Sequence, residues 1–196
     1  MEVAPPPAAD IRHLILDRDG VLNVEAPDHG YILRPADFEW LPGSLEALVA
    51  LCRLGLRISI ASNQSAVGRG LMTAQALQQV HAAMLDQARA AGARIDGVYV
   101  CMHAPDAQCD CRKPAPGLIL SAVQDSGIAA RETLLVGDDG RDVAAARAAG
   151  VAAVLVRTGK GRRAAAQLLE RGEALPLFDD LAHFARNFAK DRPGHE

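Results

Sequence analysis

Leu14-Ile15-Leu16-Asp17-Arg18-Asp19-Gly20 runs from an apolar triplet straight into two carboxylates separated by one residue. The triplet has the character of a buried strand, and the acids stand where that strand ends. In open α/β sheets, ligands bind beyond the carboxyl ends of the strands. Two acids at that place can approach one reacting group, Asp17 as nucleophile and Asp19 as acid and base. Taken alone the stretch is also an ordinary turn, since Asp and Gly favour turns.

Three further stations shift the balance: Ser62-Asn63-Gln64-Ser65, Arg112-Lys113-Pro114 and Gly137-Asp138-Asp139. Each follows a strand or loop in an order that lets all four converge on one sheet edge. Apolar runs alternate with helix-like stretches, which predicts an α/β fold: a Rossmann-like parallel sheet with helices on both faces. Strands are expected at His13–Leu16, Arg57–Ala61, Gly97–Cys101, Thr133–Val136 and Ala152–Val156. Helices are expected at Gly43–Leu54, Thr73–Ala91, Pro116–Ser126, Gly140–Ala149, Gly161–Arg171 and Leu181–Lys190. Thr73 can cap the second of these, whose Leu77, Val80, Met84 and Leu85 recur at helical spacing. Gly55, Gly92, Gly127 and Gly150 fall where helices should stop.

The chain has 196 residues, 49% hydrophobic and 23% charged, values that fit a single globular domain. We expect an extended leader over 1–10, the domain over 11–190 and a tail over 191–196. The roughly 40 residues from Asp19 to Ser62 and roughly 50 from Ser62 to Lys113 are consumed by loops, helices and a strand. No cap domain fits in either gap, so the site should be open. A net charge of -3 offers no footprint for nucleic acid or an anionic membrane surface. No apolar run reaches the roughly 18 residues of a membrane span, and Met1 to Asp10 lacks the regions of a signal peptide. The expectation is a cytoplasmic monomer.

The joint chemistry of the four stations is phosphoryl transfer. Asp17 attacks phosphorus to give an aspartyl phosphate; Asp19 protonates the leaving oxygen and then helps water attack. A phosphoryl dianion repels carboxylates, so cations are required. Mg²⁺ suits a site of carboxylates, a carbonyl and phosphate oxygens, with Asp17 and Asp138 as side-chain ligands and the Asp19 main-chain carbonyl completing the set. Lys113 supplies positive charge and Ser62 a hydroxyl donor to the transferring group. Arg112 beside the lysine completes the candidate catalytic residues.

Cys101, His103, Cys109 and Cys111 place three thiolates and one imidazole within eleven positions. Four such ligands suit tetrahedral Zn²⁺, and a filled set argues for a structural ion. A near-neighbour disulfide or idle surface thiols are the competing readings. The loop over 101–111 ends at Arg112-Lys113, so zinc would stiffen the segment that carries the phosphate-binding lysine. Cys52 reads as a buried core thiol.

These residues resemble the haloacid dehalogenase (HAD) superfamily of phosphotransferases, whose four motifs match the four stations over most of Ile11–Thr158. The resemblance implies the roles just given. Within the superfamily, Asp17-Arg18-Asp19-Gly20 with the zinc loop and Cys111-Arg112-Lys113-Pro114 is similar to two groups, heptose bisphosphate phosphatases acting at the 7-phosphate and histidinol-phosphate phosphatases. Asp28-His29-Gly30-Tyr31, Ser62-Asn63-Gln64-Ser65 with Gly68-Arg69-Gly70, and Val156-Arg157-Thr158-Gly159-Lys160-Gly161 favour the sugar enzymes. A neutral Ser65 stands where the histidinol group tends to carry an acid. The resemblance implies a phosphorylated-sugar substrate bound by Asp28, His29, Gly30, Tyr31, Ser62, Asn63, Gln64, Ser65, Arg112 and Lys113. Arg112 can hold a second phosphate bidentately. Two positions depart from the pattern: Ser62 replaces a common threonine, and Asp139 stands where a basic residue is frequent. Transfer to an alcohol instead of water uses the same residues. A non-catalytic zinc module, with the acids as turn formers, is the reading from another class.

Overall fold

The computed structural model describes residues 7–26 and 30–192. β1 (His13–Leu16) lies at the middle of a six-stranded, wholly parallel sheet, between β2 (Arg57–Asn63) and β4 (Thr133–Gly137). With β3 (Gly97–Cys101), β5 (Ala152–Val156) and β6 (Leu177–Phe178), the order is β3-β2-β1-β4-β5-β6. Connections run one way from β1 and the other way from β4, which opens a crevice between the carboxyl ends of those two strands.

Every β1 residue is buried, which explains why Leu14–Leu16 read as an apolar run without polar alternation, while His13 at its start is buried against Ser59 Oγ at 2.9 Å. Leu14 and Leu16 face one layer, where Leu48 and Leu51 of α1 (Ser44–Arg53), Val80 and Met84 of α2 (Ala74–Ala90) and Phe184 and Phe188 of α6 (Leu181–Lys190) pack together. Ile15 faces the other, among Ile119 and Ala122 of α3 (Gly117–Ser126) and Ala145 and Ala146 of α4 (Gly140–Ala148). Val143 of α4 and Leu155 of β5 hold Ala164 and Leu168 of α5 (Gly161–Glu170). A buried Leu cut to Ala in such a core costs about 2–5 kcal/mol.

Element boundaries follow the local signals. Thr73 Oγ1 accepts from Ala76 N–H at 3.0 Å and caps α2. Gly55, Gly92, Gly127 and Gly150 adopt positive φ at the helix ends. β2 runs two residues past its expected end because Ser62 and Asn63 still pair with Val100 and Cys101. β6 was not foreseen, being only two residues long, and it forms by pairing Leu177 and Phe178 with Leu155 and Val156. Cys52 is half-buried instead of core-buried: its thiol donates to Arg94 O at 3.3 Å and accepts from Arg94 N–H at 3.2 Å. Among the described residues no inserted domain covers the carboxyl ends of the strands, and no helix is long and apolar enough to cross a membrane.

Candidate active site

β1 delivers Asp17 into the crevice, where its N–H still donates to Val136 O of β4 at 3.0 Å. Two donors meet Asp17 Oδ1, the Arg18 N–H at 2.7 Å and Lys113 Nζ at 3.0 Å. Asp17 itself lines a cleft at this point. That cleft, about 250 Å³, is lined by Asp17, Asp19, Ser62, Arg112, Lys113 and Asp138, and also by Gly30, Tyr31, Asn63, Gln64 and Ser65. The four stations therefore meet in space. Asp28 and His29 lie outside the described residues.

Lys113 is almost wholly buried: Nζ donates to Ala61 O at 2.7 Å and pairs with Asp17 Oδ1 at 3.0 Å and Asp142 Oδ1 at 2.6 Å. Burial pulls its pKa down, but Asp142 and Asp17 raise it above the ordinary lysine range, so it is a fixed cation. Its backbone is clamped by Asn63, whose amide donates to Lys113 O at 3.0 Å and accepts from Lys113 N–H at 3.1 Å. Asn63 thus serves the lysine with both ends of its amide. Gln64 Nε2 likewise bridges Ser62 Oγ at 2.8 Å and Asp19 Oδ2 at 2.7 Å, which leaves the serine proton free to donate into the cleft. Tyr31 Oη approaches Ser65 Oγ at 3.5 Å, closing the rim.

Asp19 accepts from Asn23 Nδ2 at 2.9 Å and from Arg18 through Nε at 3.2 Å and Nη2 at 2.8 Å. Burial pushes its pKa up, but the Arg18 charge and these hydrogen bonds hold it below the usual carboxylate range. Asp17 behaves oppositely. Burial is the largest cause, Lys113 opposes it, and Asp142 and Asp19 reinforce it, so the carboxyl is raised to about 7. Asp138 is raised to about 8 by burial and by the Asp17 and Asp142 charges.

Two carboxyls forced upward, chiefly by burial, describe a place built for a cation. Asp17, Asp138 and Asp142 can bring one oxygen each within 4.8 Å of one another. The surroundings fit a hard divalent ion as well: a Cβ on Gly20 or Gly159, both at positive φ, would fall on the Asp138 carboxylate. Only bare backbone leaves that carboxylate room. Thr158 Oγ1 donates to Gly20 O at 2.6 Å and Lys160 N–H to Asp138 Oδ2 at 2.8 Å, so the segment after β5 forms the wall behind Asp138.

Asp142, Arg141, Glu25 and Lys160 were not singled out as site residues from sequence. Asp142 Oδ2 accepts from the Asp138 and Asp139 N–H groups at 3.2 and 3.0 Å while Oδ1 meets Lys113. Its signal was available: it lies four positions past Asp138, on the first turn of α4. Asp139 caps α4 through Arg141 N–H at 3.0 Å and pairs with Arg141 Nη2 at 2.7 Å. Burial raises the Asp139 carboxyl, but Arg141 holds it below its ordinary range. Lys160 Nζ pairs with Glu25 across the cleft mouth. Arg112 Nη1 is buried without a hydrogen-bond partner.

Cys101, His103, Cys109 and Cys111 form a second cluster. Cys101 and Cys109 Sγ are 3.6 Å apart, Cys109 and Cys111 Sγ 3.5 Å, and His103 Nδ1 is 3.2 Å from Cys111 Sγ. Those edges are far longer than a disulfide of about 2.05 Å and near the roughly 3.8 Å edge of a tetrahedron with Zn–S bonds of about 2.3 Å. Burial and the neighbouring Cys101 and Cys109 sulfurs push Cys111 up to about 12, a crowding that a dication relieves. The four residues could hold a metal ion. Gly68 lets the loop after β2 close on this cluster, since a Cβ there would strike the backbone at Met102–Ala104.

A parallel sheet in this order, with paired acids after β1 and a lysine and further acids converging on them, is the site of a HAD-like hydrolase. A family model described as "HAD-hyrolase-like" matches residues 110–184. The D-glycero-beta-D-manno-heptose-1,7-bisphosphate 7-phosphatase of Neisseria meningitidis serogroup A is 40% identical, covering 88% of this chain and 92% of that one. The protein of the same name from Pseudomonas aeruginosa is 38% identical over 88% of this chain and 94% of its own. The crystal structure of D,D-heptose 1.7-bisphosphate phosphatase from B. bronchiseptica, complexed with magnesium and phosphate, superposes with a TM-score of 0.85 at 33% identity, over 92% of this chain and 99% of that one. The chain belongs to the D-glycero-beta-D-manno-heptose-1,7-bisphosphate 7-phosphatase family of the HAD superfamily.

Proposed function

We propose that this chain is a Mg²⁺-dependent phosphatase that removes the 7-phosphate of D-glycero-β-D-manno-heptose 1,7-bisphosphate, leaving heptose 1-phosphate and inorganic phosphate. One observation carries the reading: Asp17, held by Lys113 at 3.0 Å, faces an open cleft beside Asp138 at the switch point of the sheet. The names of the relatives supply the substrate.

Asp17 Oδ2 attacks phosphorus as the bond from phosphorus to the C7 oxygen breaks. Asp19 rests as a carboxylate; docking of the substrate dianion beside it, with loss of water, favours its protonated form. It gives that proton to the departing oxygen. Asp19 then takes a proton from water as the water attacks phosphorus, and the bond from phosphorus to Asp17 breaks to free phosphate and the carboxylate. Lys113 supplies positive charge beside the equatorial oxygens, and the Ser62 hydroxyl donates to them. Mg²⁺, held by Asp17, Asp138 and the Asp19 main-chain carbonyl, would neutralise the charge of the transferring group. Cys101, His103, Cys109 and Cys111 would hold a structural Zn²⁺, which would fix the segment from which Arg112 and Lys113 enter the cleft.

The sugar and its second phosphate would lie along the rim formed by Tyr31, Ser65, Arg69, Arg112 and Arg141, three of which bring positive charge to it. The same reading makes the protein a cytoplasmic monomer with one domain over 11–190. The test is phosphate release from the heptose bisphosphate and from histidinol phosphate, each with wild type and Asp17→Asn. We expect higher kcat/KM on the bisphosphate and no turnover by the variant. Preference for histidinol phosphate overturns the substrate, and an active variant overturns the mechanism.

A further inference from the structure

Arg18 is a charged side chain with 1% exposure, enclosed between the acid pair and α2. A guanidinium has five N–H donors and no acceptor, so each buried nitrogen needs a partner that accepts. Nε and Nη2 face Asp19, donating to Oδ1 at 3.2 and 2.8 Å and to Oδ2 at 3.0 Å. Nη1 faces away from the acid, and its partner is His81 Nε2 at 3.0 Å, on the buried side of α2.

That contact dictates the state of the histidine. Since Arg18 can only donate, Nε2 must offer its lone pair and the ring proton must sit on Nδ1. An imidazolium would set a donor and a second positive charge against Nη1. Burial first, and then the Arg18 charge, pull His81 down to about 4, so it is neutral at pH 7. The phosphatase chemistry assigned to Asp17 and Asp19 has no part for His81, 63 positions from Arg18 along the chain.

We propose that His81 is a positioning residue for proton transfer: by accepting from Arg18 it fixes the guanidinium, whose other edge aims the Asp19 carboxyl at the leaving oxygen. This inference rests on the phosphatase reading above. Without an acceptor at position 81, the buried Nη1 seeks another partner, and the fork that holds Asp19 rotates with it. Neither substrate binding nor the nucleophile is touched directly.

A general acid matters most where the leaving oxygen is basic. The alkoxide of a sugar needs a proton as it leaves; p-nitrophenolate hardly does. A loss confined to proton donation is therefore larger on the sugar phosphate, whereas general loosening of the fold lowers both substrates alike. The comparison uses kcat/KM, which stops at the first irreversible step and excludes breakdown of the aspartyl phosphate.

The experiment measures kcat/KM on heptose bisphosphate and on p-nitrophenyl phosphate for wild type, His81→Leu and His81→Gln. His81→Leu should lose about tenfold on the sugar phosphate and less than about threefold on the aryl ester, a modest part of the 10²–10⁴ that general acid catalysis contributes. His81→Gln, which restores a neutral acceptor, should recover most of the loss. An unchanged His81→Leu, equal losses on both esters, or no recovery in His81→Gln overturns the proposal while leaving the phosphatase reading intact. Wild type inactive on both esters overturns the phosphatase reading first. Should His81→Leu fail to fold, nitrogen NMR of wild type at pH 7 decides the contact: an Nδ1–H tautomer supports it, and an Nε2–H tautomer or a charged ring refutes it.

Discussion

Lys113 Nζ lies 2.6 Å from Asp142 Oδ1, and both side chains are almost completely buried, 2% and 1% exposed. The other oxygen of Asp142 accepts from two backbone N–H groups at the start of α4. The carboxylate thus ties the lysine to the same turn that presents Asp138. An amide cannot replace it, because its NH₂ must face either the ammonium or those backbone donors. Asp142→Asn should therefore cost about 3 kcal/mol in urea unfolding, the scale of a broken buried pair. It should also lower kcat by about 100-fold as Lys113 loses its anchor. Wild-type stability and kcat in that variant would show that the lysine is held by Asp17 and Ala61 alone.

How far this site could be read in advance depended on what each residue does locally. Asp17, Ser62, Lys113 and Asp138 stand at or just beyond strand ends or beside the Cys/His loop, and their neighbours announce both the turn and the chemistry. His81 carries no such mark. It sits in a helix whose periodic Leu77, Val80 and Met84 say only that this face is buried, and its partner is brought to it by packing of α2 against the sheet. Arg141 was equally silent, because its value comes from lying over Asp139. β6 was missed for a different reason: two residues make no period, and only the open edge of β5 defines them. Asp142, by contrast, is legible in its spacing of four from Asp138.

The stability gained from Mg²⁺ should itself depend on pH. Asp17 and Asp138 are raised to about 7 and about 8, chiefly by burial, so from pH 4 upward the metal-free fold holds protons that the unfolded chain has lost. Their contribution falls as pH rises through those values. His13 and His81 are lowered to about 4, again chiefly by burial, so between pH 4 and about 6.5 the unfolded chain holds the extra protons and stability rises with pH. Saturating Mg²⁺ would keep both acids ionised in the fold and so remove the carboxylate slope, whereas the histidines and the Cys/His cluster, whose Cys109 thiol is lowered to about 7, act alike in both samples. The Tm gained on adding Mg²⁺ should therefore grow as pH rises toward 8. Scanning calorimetry across pH 4.5–8, with and without Mg²⁺, checks this. A gain that shrinks or stays constant between pH 6.5 and 8 contradicts the carboxylate assignment.

Asp139 occupies a position where a cation would serve an anionic substrate better, yet its charge is covered by Arg141 at 2.7 Å. The guanidinium lines the cleft, so the chain places positive charge there from two residues further along. Arg141→Leu should raise KM for the bisphosphate about tenfold, a loss of about 1.4 kcal/mol, with kcat nearly unchanged. A sugar monophosphate lacking the second phosphate should be affected less. Equal effects on both substrates would mean that Arg141 serves the Asp139 cap alone.

The cysteine cluster reaches the chemistry through the two residues that follow it. Cys111 is joined directly to Arg112 and Lys113, and Gly117 presses on the Asp110 carbonyl closely enough that any Cβ there would collide. A dication on the four residues would fix Cys109 and Cys111 relative to Cys101 at the end of β3, and hence where Arg112 leaves the loop. Wild type should carry one zinc per chain by elemental analysis, and Cys109→Ser should carry close to none. The variant should lose about tenfold in kcat/KM through imprecise placement of Arg112 and Lys113, while Asp17 is still phosphorylated by a reactive acyl phosphate, which would be seen by mass spectrometry. Turnover equal to wild type in zinc-free Cys109→Ser would mean that Asn63, gripping the Lys113 backbone from β2, positions the lysine without help from the loop.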